Sequence, residues 1–379
     1  MMRLGITGAD GLLGRHLRAR VYGDPTIQAV LATRETFANP ERLAAFAANV
    51  DAIVHLAGMN RGDDEDIEGV NIALGQQLTS ALDAAGQRIP LAYSSSTHIA
   101  RDTAYGRSKR AVGEHLRAWG ERVGAPVSEL VLPGVFGEGG KPFYNSVVST
   151  FCFQLAHGQV PQVTADAEIE QVHAQAAAQQ LLAAVQASQG VRFERVHGTT
   201  LQVSELLRQL QELDSMYRQG LLPSLAHPFA RDLFNTYRSY LFPHFYPRQV
   251  QVFQDNRGAL FETFKVGSGG QSFYSTTHPG ITRGNHYHLH RMERFFVVEG
   301  EAVIALRPLL GSEVTEFRVS GQTPAYVDIP TLWVHSITNV GAQPLRTVFW
   351  SDQIFDPANV DQFPADVVGG RPGMQEVLA

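Results

Sequence analysis

Thr7-Gly8-Ala9-Asp10-Gly11-Leu12-Leu13-Gly14 decides the reading of the first half of this chain. It follows a strand-like run, Arg3-Leu4-Gly5-Ile6-Thr7, and opens a helix-like one over residues 11–20. In such a turn the first glycine permits the tight bend and the second lets backbone approach a pyrophosphate. The third lets helix pack closely on strand. Phosphates then rest on the helix N-terminus. Gly8, Gly11, Leu12, Leu13 and Gly14 are therefore candidate dinucleotide-binding residues, with an ordinary glycine-rich turn as the alternative. Outward from this turn, strand-like segments at 27–33, 51–56 and 90–95 alternate with helix-like ones at 41–48 and 71–85. That rhythm predicts an α/β fold of the Rossmann type, a doubly wound parallel sheet with helices on both faces. An amphipathic helix is predicted over 201–213, with Thr199-Thr200 as its cap.

The residue about 20 positions past the last motif glycine selects the cofactor: an acid favours the ribose hydroxyls of NAD, an arginine the 2′-phosphate of NADP. Here Arg34 stands at that place, after Thr33, and no acid comes before Glu35. The expectation is NADPH, with a solvated surface arginine as the alternative. A second signal is Tyr105-Gly106-Arg107-Ser108-Lys109. Only three of the 31 basic residues are lysines, and one of them falls four positions after Tyr105. At that spacing the two side chains share a helix face. A lysine ammonium beside a phenol lowers its pKa, so that the phenol can exchange a proton during hydride transfer. Upstream, Ser94-Ser95-Ser96 ends a strand, where a hydroxyl can bond the same substrate oxygen.

Past residue 245 the texture changes. Arg294-Phe295-Phe296-Val297-Val298, Glu301-Ala302-Val303-Ile304-Ala305-Leu306 and Arg346-Thr347-Val348-Phe349-Trp350 are separated by turn-forming residues. Short strands at this spacing predict an antiparallel barrel or sandwich. The joint is Leu241-Phe242-Pro243-His244-Phe245-Tyr246-Pro247, which divides the chain into residues 1–242 and 243–379. Cys152 is the only cysteine, so no internal disulfide is possible and any metal site must use histidines and carboxylates. Such a set is present: Gly280, five residues, His286, one, His288, four, Glu293, six, Gly300. The spacing matches the first cupin motif. Pro330-Thr331-Leu332-Trp333-Val334-His335, with Asn339 beyond, matches the second, Leu332 standing where the family usually has glycine. Three imidazoles and a carboxylate with open positions suit Zn, Fe, Mn, Ni or Cu. The alternative is a cluster of barrel histidines without metal. His290 shares the alternation as a ligand, a base or a rim residue, while His244 and His278 carry no pattern.

Composition narrows the partners. Of 379 residues, 44% are hydrophobic and 18% charged, the balance of a globular chain. A net charge of −6 argues against nucleic acid as the main partner. No signal peptide is apparent and no apolar run reaches membrane-spanning length, so a cytoplasmic location is expected.

On these residues the first 240 or so positions resemble the extended short-chain dehydrogenase/reductases that act on nucleotide sugars. The resemblance implies Ser96, Tyr105 and Lys109 as catalytic residues, His55-Leu56-Ala57-Gly58 as the segment lining the cofactor, and Asn71 as the family's helix asparagine. Nearly the whole chain resembles the bifunctional UDP-sugar epimerase/reductases of the capsular-polysaccharide CapF type and their O-antigen counterparts. Gly140-Lys141-Pro142-Phe143-Tyr144-Asn145, Leu233-Phe234-Asn235-Thr236-Tyr237-Arg238 and Pro279-Gly280-Ile281-Thr282-Arg283-Gly284-Asn285-His286 carry that likeness. It implies that a cupin domain epimerises C3 of a UDP-2-acetamido-2,6-dideoxy-4-hexulose and that the reductase domain reduces the C4 ketone with NADPH. The product lies on the UDP-N-acetyl-L-fucosamine route. Zinc on His286, His288, Glu293 and His335, and a homodimer, are also implied, with Lys141 and Asn145 as candidate UDP-sugar contacts. The sequence departs from the family's arginine and asparagine at Val131 and Gly134, and from its usual acid at Ala174-Gln175-Ala176. Two other readings stay open: a single-activity 4-epimerase or reductase whose cupin only binds or dimerises, and a non-catalytic sugar-nucleotide sensor.

Overall fold

A computed structural model describes the chain except residues 188, 251, 256–257, 261–262, 264, 267–269, 354–357 and 370–379. The described residues pack into two compact units. One comprises Met1–Phe136 with Ile169–Thr200; the other comprises Gly137–Glu168 and the chain from Leu201 on. The expected division at 242/243 follows the change of texture along the chain, whereas these units follow packing.

In the first unit, β1 (Met2–Thr7), β2 (Ile27–Ala32), β3 (Ala52–His55), β4 (Leu91–Ser96) and β5 (Val127–Leu132) are short and almost wholly buried. β6 (Gly134–Phe136) and β7 (Glu168–His173) pair with each other, and β8 (Val191–Arg195) returns to the main sheet. That sheet is parallel, six-stranded and ordered β2-β1-β3-β4-β5-β8. Strands buried on both faces need helices on both faces. On one side α1 (Leu12–Tyr22) and α7 (Ala174–Ala187) bury Leu17, Val21, Leu181 and Val185. On the other, α3 (Pro40–Ala48), α4 (Asp64–Ala84) and α5 (Ala104–Val123) bury Phe46, Leu78, Leu82, Leu116 and Trp119. The α/β prediction holds. The strand order reverses between β1 and β3, and in open α/β sheets ligands bind outside the carboxyl ends at such a switch point.

Three local details differ from the sequence reading. A short helix, α2 (Arg34–Ala38), follows β2, closed by a reciprocal cap between Thr33 and Thr36. α4 starts at Asp64, well before Asn71, because Asp64, Glu65 and Asp66 form an acidic first turn that suits the helix dipole but carries no apolar period. Thr199-Thr200 is not a cap: Thr199–Gln202 is a strand, as β-branched residues favour, and α8 (Val203–Arg218) begins after Gln202.

The second unit joins helices to antiparallel strands. α6 (Val147–Ala156) is followed by α8 and by α9 (Pro228–Leu241). One five-stranded sheet is ordered Arg248–Gln249, Ala325–Ile329, Glu293–Glu299, Leu345–Ser351, Gln271–Thr277. The other is ordered Thr315–Ser320, Glu301–Pro308, Trp333–Asn339, Thr282–Tyr287, Phe363–Pro364. Their inner faces meet where the Phe295 ring lies 5.5 Å from that of His335. Among the described residues the second half is thus all-β beyond the joint, as predicted, but α8 and α9 are bound into it. Arg294 forks onto Asp328 at 2.6 and 2.9 Å with both side chains buried, and the Tyr217 hydroxyl of α8 donates to the same carboxylate. Arg238 of α9 donates to the Ile329 carbonyl at 2.9 Å. Among the described residues no helix is long and apolar enough to cross a membrane.

Candidate functional site

The first candidate site lies in the first unit, at the switch point. Gly8 sits at φ +65°, and a Cβ there would come 2.7 Å from the Ala57 nitrogen. A Cβ on Gly14 would come 2.7 Å from the Ala9 Cα. Both positions therefore require glycine, one for conformation and one for close approach. Gly11 caps α1 without any side-chain hydrogen bond, and Leu12 and Leu13, half-buried, open the helix. The cradle is tied to β3 by one hydroxyl. Thr7 Oγ1 accepts the Leu56 and Ala57 amides, each at 3.1 Å, so its own proton goes to His55 Nδ1 at 2.8 Å. Burial holds His55 down at about 3, so the ring is neutral and serves as acceptor. This cradle has the glycine geometry and free helix terminus that a dinucleotide pyrophosphate fits.

Asn71 is fully engaged. Its Oδ1 accepts the Met59 amide at 2.6 Å, and its Nδ2 donates to the Met59 carbonyl at 2.8 Å and to Ser108 Oγ at 2.9 Å. It pins the turn after Leu56, Ala57 and Gly58 to α5. Arg34 opens α2 at the carboxyl end of β2 and is exposed.

Ser96 ends β4, and Tyr105 and Lys109 stand one turn apart on α5. Ser96 Oγ accepts the His98 amide at 3.2 Å, which leaves its proton for the Tyr105 oxygen. Burial outweighs that bond and pushes Tyr105 up to about 12. The sequence predicts that Lys109 lowers the phenol. Instead Lys109 Nζ donates to the Ser94 carbonyl at 2.7 Å, lies 5.8 Å from the centre of the Tyr105 ring, and is itself lowered to about 8 by burial. The phenol therefore holds its proton at neutral pH, the form an acid must start from.

The departures from the family pattern have local causes. Val131 is core in β5. A Cβ on Gly134 would lie 2.9 Å from Gln171 Cδ, so the Gln171 carboxamide occupies the space a side chain at 134 would need. Gln175 is buried and donates to the His16 carbonyl at 3.2 Å. Lys141 and Asn145 belong to the second unit, where both are exposed and Lys141 Nζ lies 5.2 Å from the centre of the Tyr144 ring.

The second candidate site is in that unit. Strand register sets His286 opposite His335, after a bulge at which Asn285 takes φ +58°. His288 follows the same strand and Glu293 opens the next. One ligand atom from each of the four lies within 4.8 Å of all the others. Glu293 Oε2 is 3.3 Å from both His288 Nε2 and His335 Nε2. All three imidazole Nε2 atoms are buried without a hydrogen-bond partner. Burial and the neighbouring histidines bring His286 down to about 3. Three orphaned imidazole nitrogens converging on a carboxylate fit a transition ion. His290 is not among the four. Leu332 holds φ +63° while its amide donates to the His288 carbonyl at 2.9 Å, a backbone state that explains why glycine is usual there. Sequence reasoning missed Thr7 and His55 as a pair, although Thr7 lay within the motif it read.

Comparison with known proteins agrees with this picture. The model of the NAD dependent epimerase/dehydratase family matches residues 4–196, and that of the polysaccharide biosynthesis C-terminal domain matches 253–363. A UDP-2-acetamido-2,6-beta-L-arabino-hexul-4-ose reductase of Pseudomonas aeruginosa is 34% identical over 97% of this chain and 100% of its own. The structure of the capsular polysaccharide assembling protein CapF from Staphylococcus aureus is 31% identical, covers 96% of this chain and 100% of its own, and superposes with a TM-score of 0.64. A UDP-N-acetylglucosamine 4-epimerase from Bacillus cereus, 19% identical over 57% of this chain and 82% of its own, shares the fold with a TM-score of 0.51.

Proposed function

The chain belongs to the NAD dependent epimerase/dehydratase family, and from that premise we propose that it is a two-site nucleotide-sugar enzyme. Residues 1–242 reduce the C4 ketone of a UDP-2-acetamido-2,6-dideoxy-4-hexulose with NADPH, and residues 243–379 epimerise its C3. The product is a UDP-N-acetyl-6-deoxy-L-talosamine-like sugar for capsule or O-antigen synthesis, and the working unit is a homodimer. One observation carries the reading: a single chain holds both the Ser96, Tyr105, Lys109 arrangement and the four-donor cluster. The 34% identity to a 4-hexulose reductase supplies the substrate class.

Gly8, Gly11, Leu12, Leu13 and Gly14 would cradle the pyrophosphate, with Leu56, Ala57 and Gly58 beside it and Arg34 at the 2′-phosphate. Bound there, the reduced dinucleotide supplies the hydride. Tyr105 gives its proton to the C4 oxygen, and Ser96 bonds that oxygen and fixes its place. Lys109 holds the Ser94 carbonyl and supplies positive charge beside the phenolate that remains. In the second site a ketone at C4 acidifies the C3 hydrogen. His286, His288, Glu293 and His335 would hold a transition ion, zinc by resemblance, which supplies stabilisation of the charge that develops on the sugar oxygens. The Phe295 ring, edge-on to His335, gives that cluster an apolar neighbour on one side. Lys141 and Asn145 remain candidate UDP contacts.

The test is product analysis. Protein, NADPH and the UDP-4-hexulose are incubated, and sugars are read by NMR. A product reduced at C4 and inverted at C3 is expected. Reduction without inversion would assign the second half to binding or dimerisation.

A further inference from the structure

We infer that Asp361 is a positioning residue for the four-donor cluster, acting through the turn that joins His288 to Glu293. The inference rests on the metal reading above and extends it to a residue far along the chain.

Residues 288–292 connect two ligand-bearing strands and belong to neither. Leu289, Arg291 and Met292 in this turn are buried, so their amides need acceptors. Two carboxylates provide them. Asp361 Oδ1 accepts the Leu289 amide at 2.9 Å, and Oδ2 accepts those of His290 at 2.8 Å and Arg291 at 2.7 Å. Asp352 Oδ1 accepts the Met292 amide at 2.9 Å. Asp361 also offers its main-chain carbonyl to His288 Nδ1. A carbonyl can only accept, so Nδ1 carries the proton and Nε2 turns its lone pair toward the cluster. One residue thus fixes the path of the turn and the tautomer of a ligand.

The segment that carries Asp361 is fastened along its length. Phe363 and Pro364 pair with Tyr287 and His286, and the Phe363 ring stacks on Tyr287 at 5.3 Å. The Ala365 amide donates to the Asn285 carbonyl at 3.0 Å. Arg307, buried, donates to the Asp366 and Val367 carbonyls at 2.8 and 3.0 Å. This strap lies against the strand that bears His286 while its first residue holds His288. Without the carboxylate, the amides of Leu289, His290 and Arg291 lose their acceptor and the turn must shift, taking His288 and Glu293 out of convergence.

The experiment compares full-length wild type, Asp361→Asn and Asp361→Ala, with Val303→Ala as a buried barrel substitution remote from the turn. Zinc affinity is read by competition with a chromophoric chelator, ligand geometry by the visible spectrum of the cobalt(II)-loaded protein, and folding by circular dichroism. Loss of outer-shell partners weakens metal binding about 10–100-fold. That loss is expected in Asp361→Ala, with an altered cobalt spectrum in both Asp361 variants and neither change in Val303→Ala. If Asp361→Ala fails to fold, Asp361→Asn carries the same comparison. Wild type that binds zinc, with Asp361 variants of equal affinity and unchanged cobalt spectrum, would overturn the inference and leave the metal reading standing. Wild type that binds neither zinc nor cobalt would overturn both.

Discussion

In the proposed function the cradle of the first unit and the cluster of the second each hold a charged group, by opposite means. The cradle is made of backbone: two positions where a Cβ does not fit, a helix terminus, and Thr7 tying two turns together. The cluster is made of side chains set by strand register, with donors 49 residues apart in sequence paired directly across a ladder. Backbone sites are encoded locally and fail when anything is added. Side-chain sites are encoded over long separations and fail when something is removed. Each prediction below applies one of these operations and asks which site responds.

The largest effect is expected from Tyr105→Phe, which keeps the ring and removes the proton. Ketone reduction should fall by about 10²–10⁴, as for loss of a general acid. Steady-state turnover with NADPH measures it, and a loss under tenfold would show that another group protonates the sugar. Gly14→Ala comes next. Overpacking of this kind costs about 1–3 kcal/mol. NADPH binding should be lost in fluorescence titration and Tm lowered, while metal content stays at the wild-type level. Metal loss in Gly14→Ala would break the separation of the two sites. Arg34→Ala is milder, since the side chain is exposed: the ratio of kcat/KM for NADPH over NADH should drop about tenfold, one charge-assisted bond of about 1.5 kcal/mol. Tm should not move.

The smallest effect at neutral pH, and a growing one in acid, belongs to His55. Its folded-state value lies near 3, below the ordinary 6.5. Between those values the unfolded chain takes up a proton that the folded chain refuses, so stability falls as pH drops from about 6.5 toward 3. In His55→Asn, whose amide oxygen can still accept from Thr7, this contribution to acid lability should vanish. Denaturant unfolding at pH 7 and pH 5 gives the comparison, and an equal loss in both proteins would remove His55 as its source.

The same contrast explains what could be read in the sequence. Gly8, Gly11 and Gly14 lie within one short stretch, as do Tyr105 and Lys109, so one helical turn or one loop contains the whole signal. The histidine spacing was legible because alternation along a strand survives in the sequence. What did not show depends on partners brought by folding. Gln171 fills the space beside Gly134, Lys109 turns to the Ser94 carbonyl instead of the phenol, and Asp361 reaches back to the turn after His288. The misplaced cap at Thr199 and the late start given to α4 have a simpler origin. β-branched threonines served a strand, and an acidic first turn has no apolar period.

The central claim is that the two sites carry separable chemistry. It is tested most directly with Tyr105→Phe protein, the UDP-4-hexulose and deuterated buffer, without NADPH, following C3 by NMR. The account predicts that deuterium enters C3 at the wild-type rate while Glu293→Ala, which retains NADPH binding, shows none. Loss of exchange in Tyr105→Phe, or its absence from wild type, would contradict it.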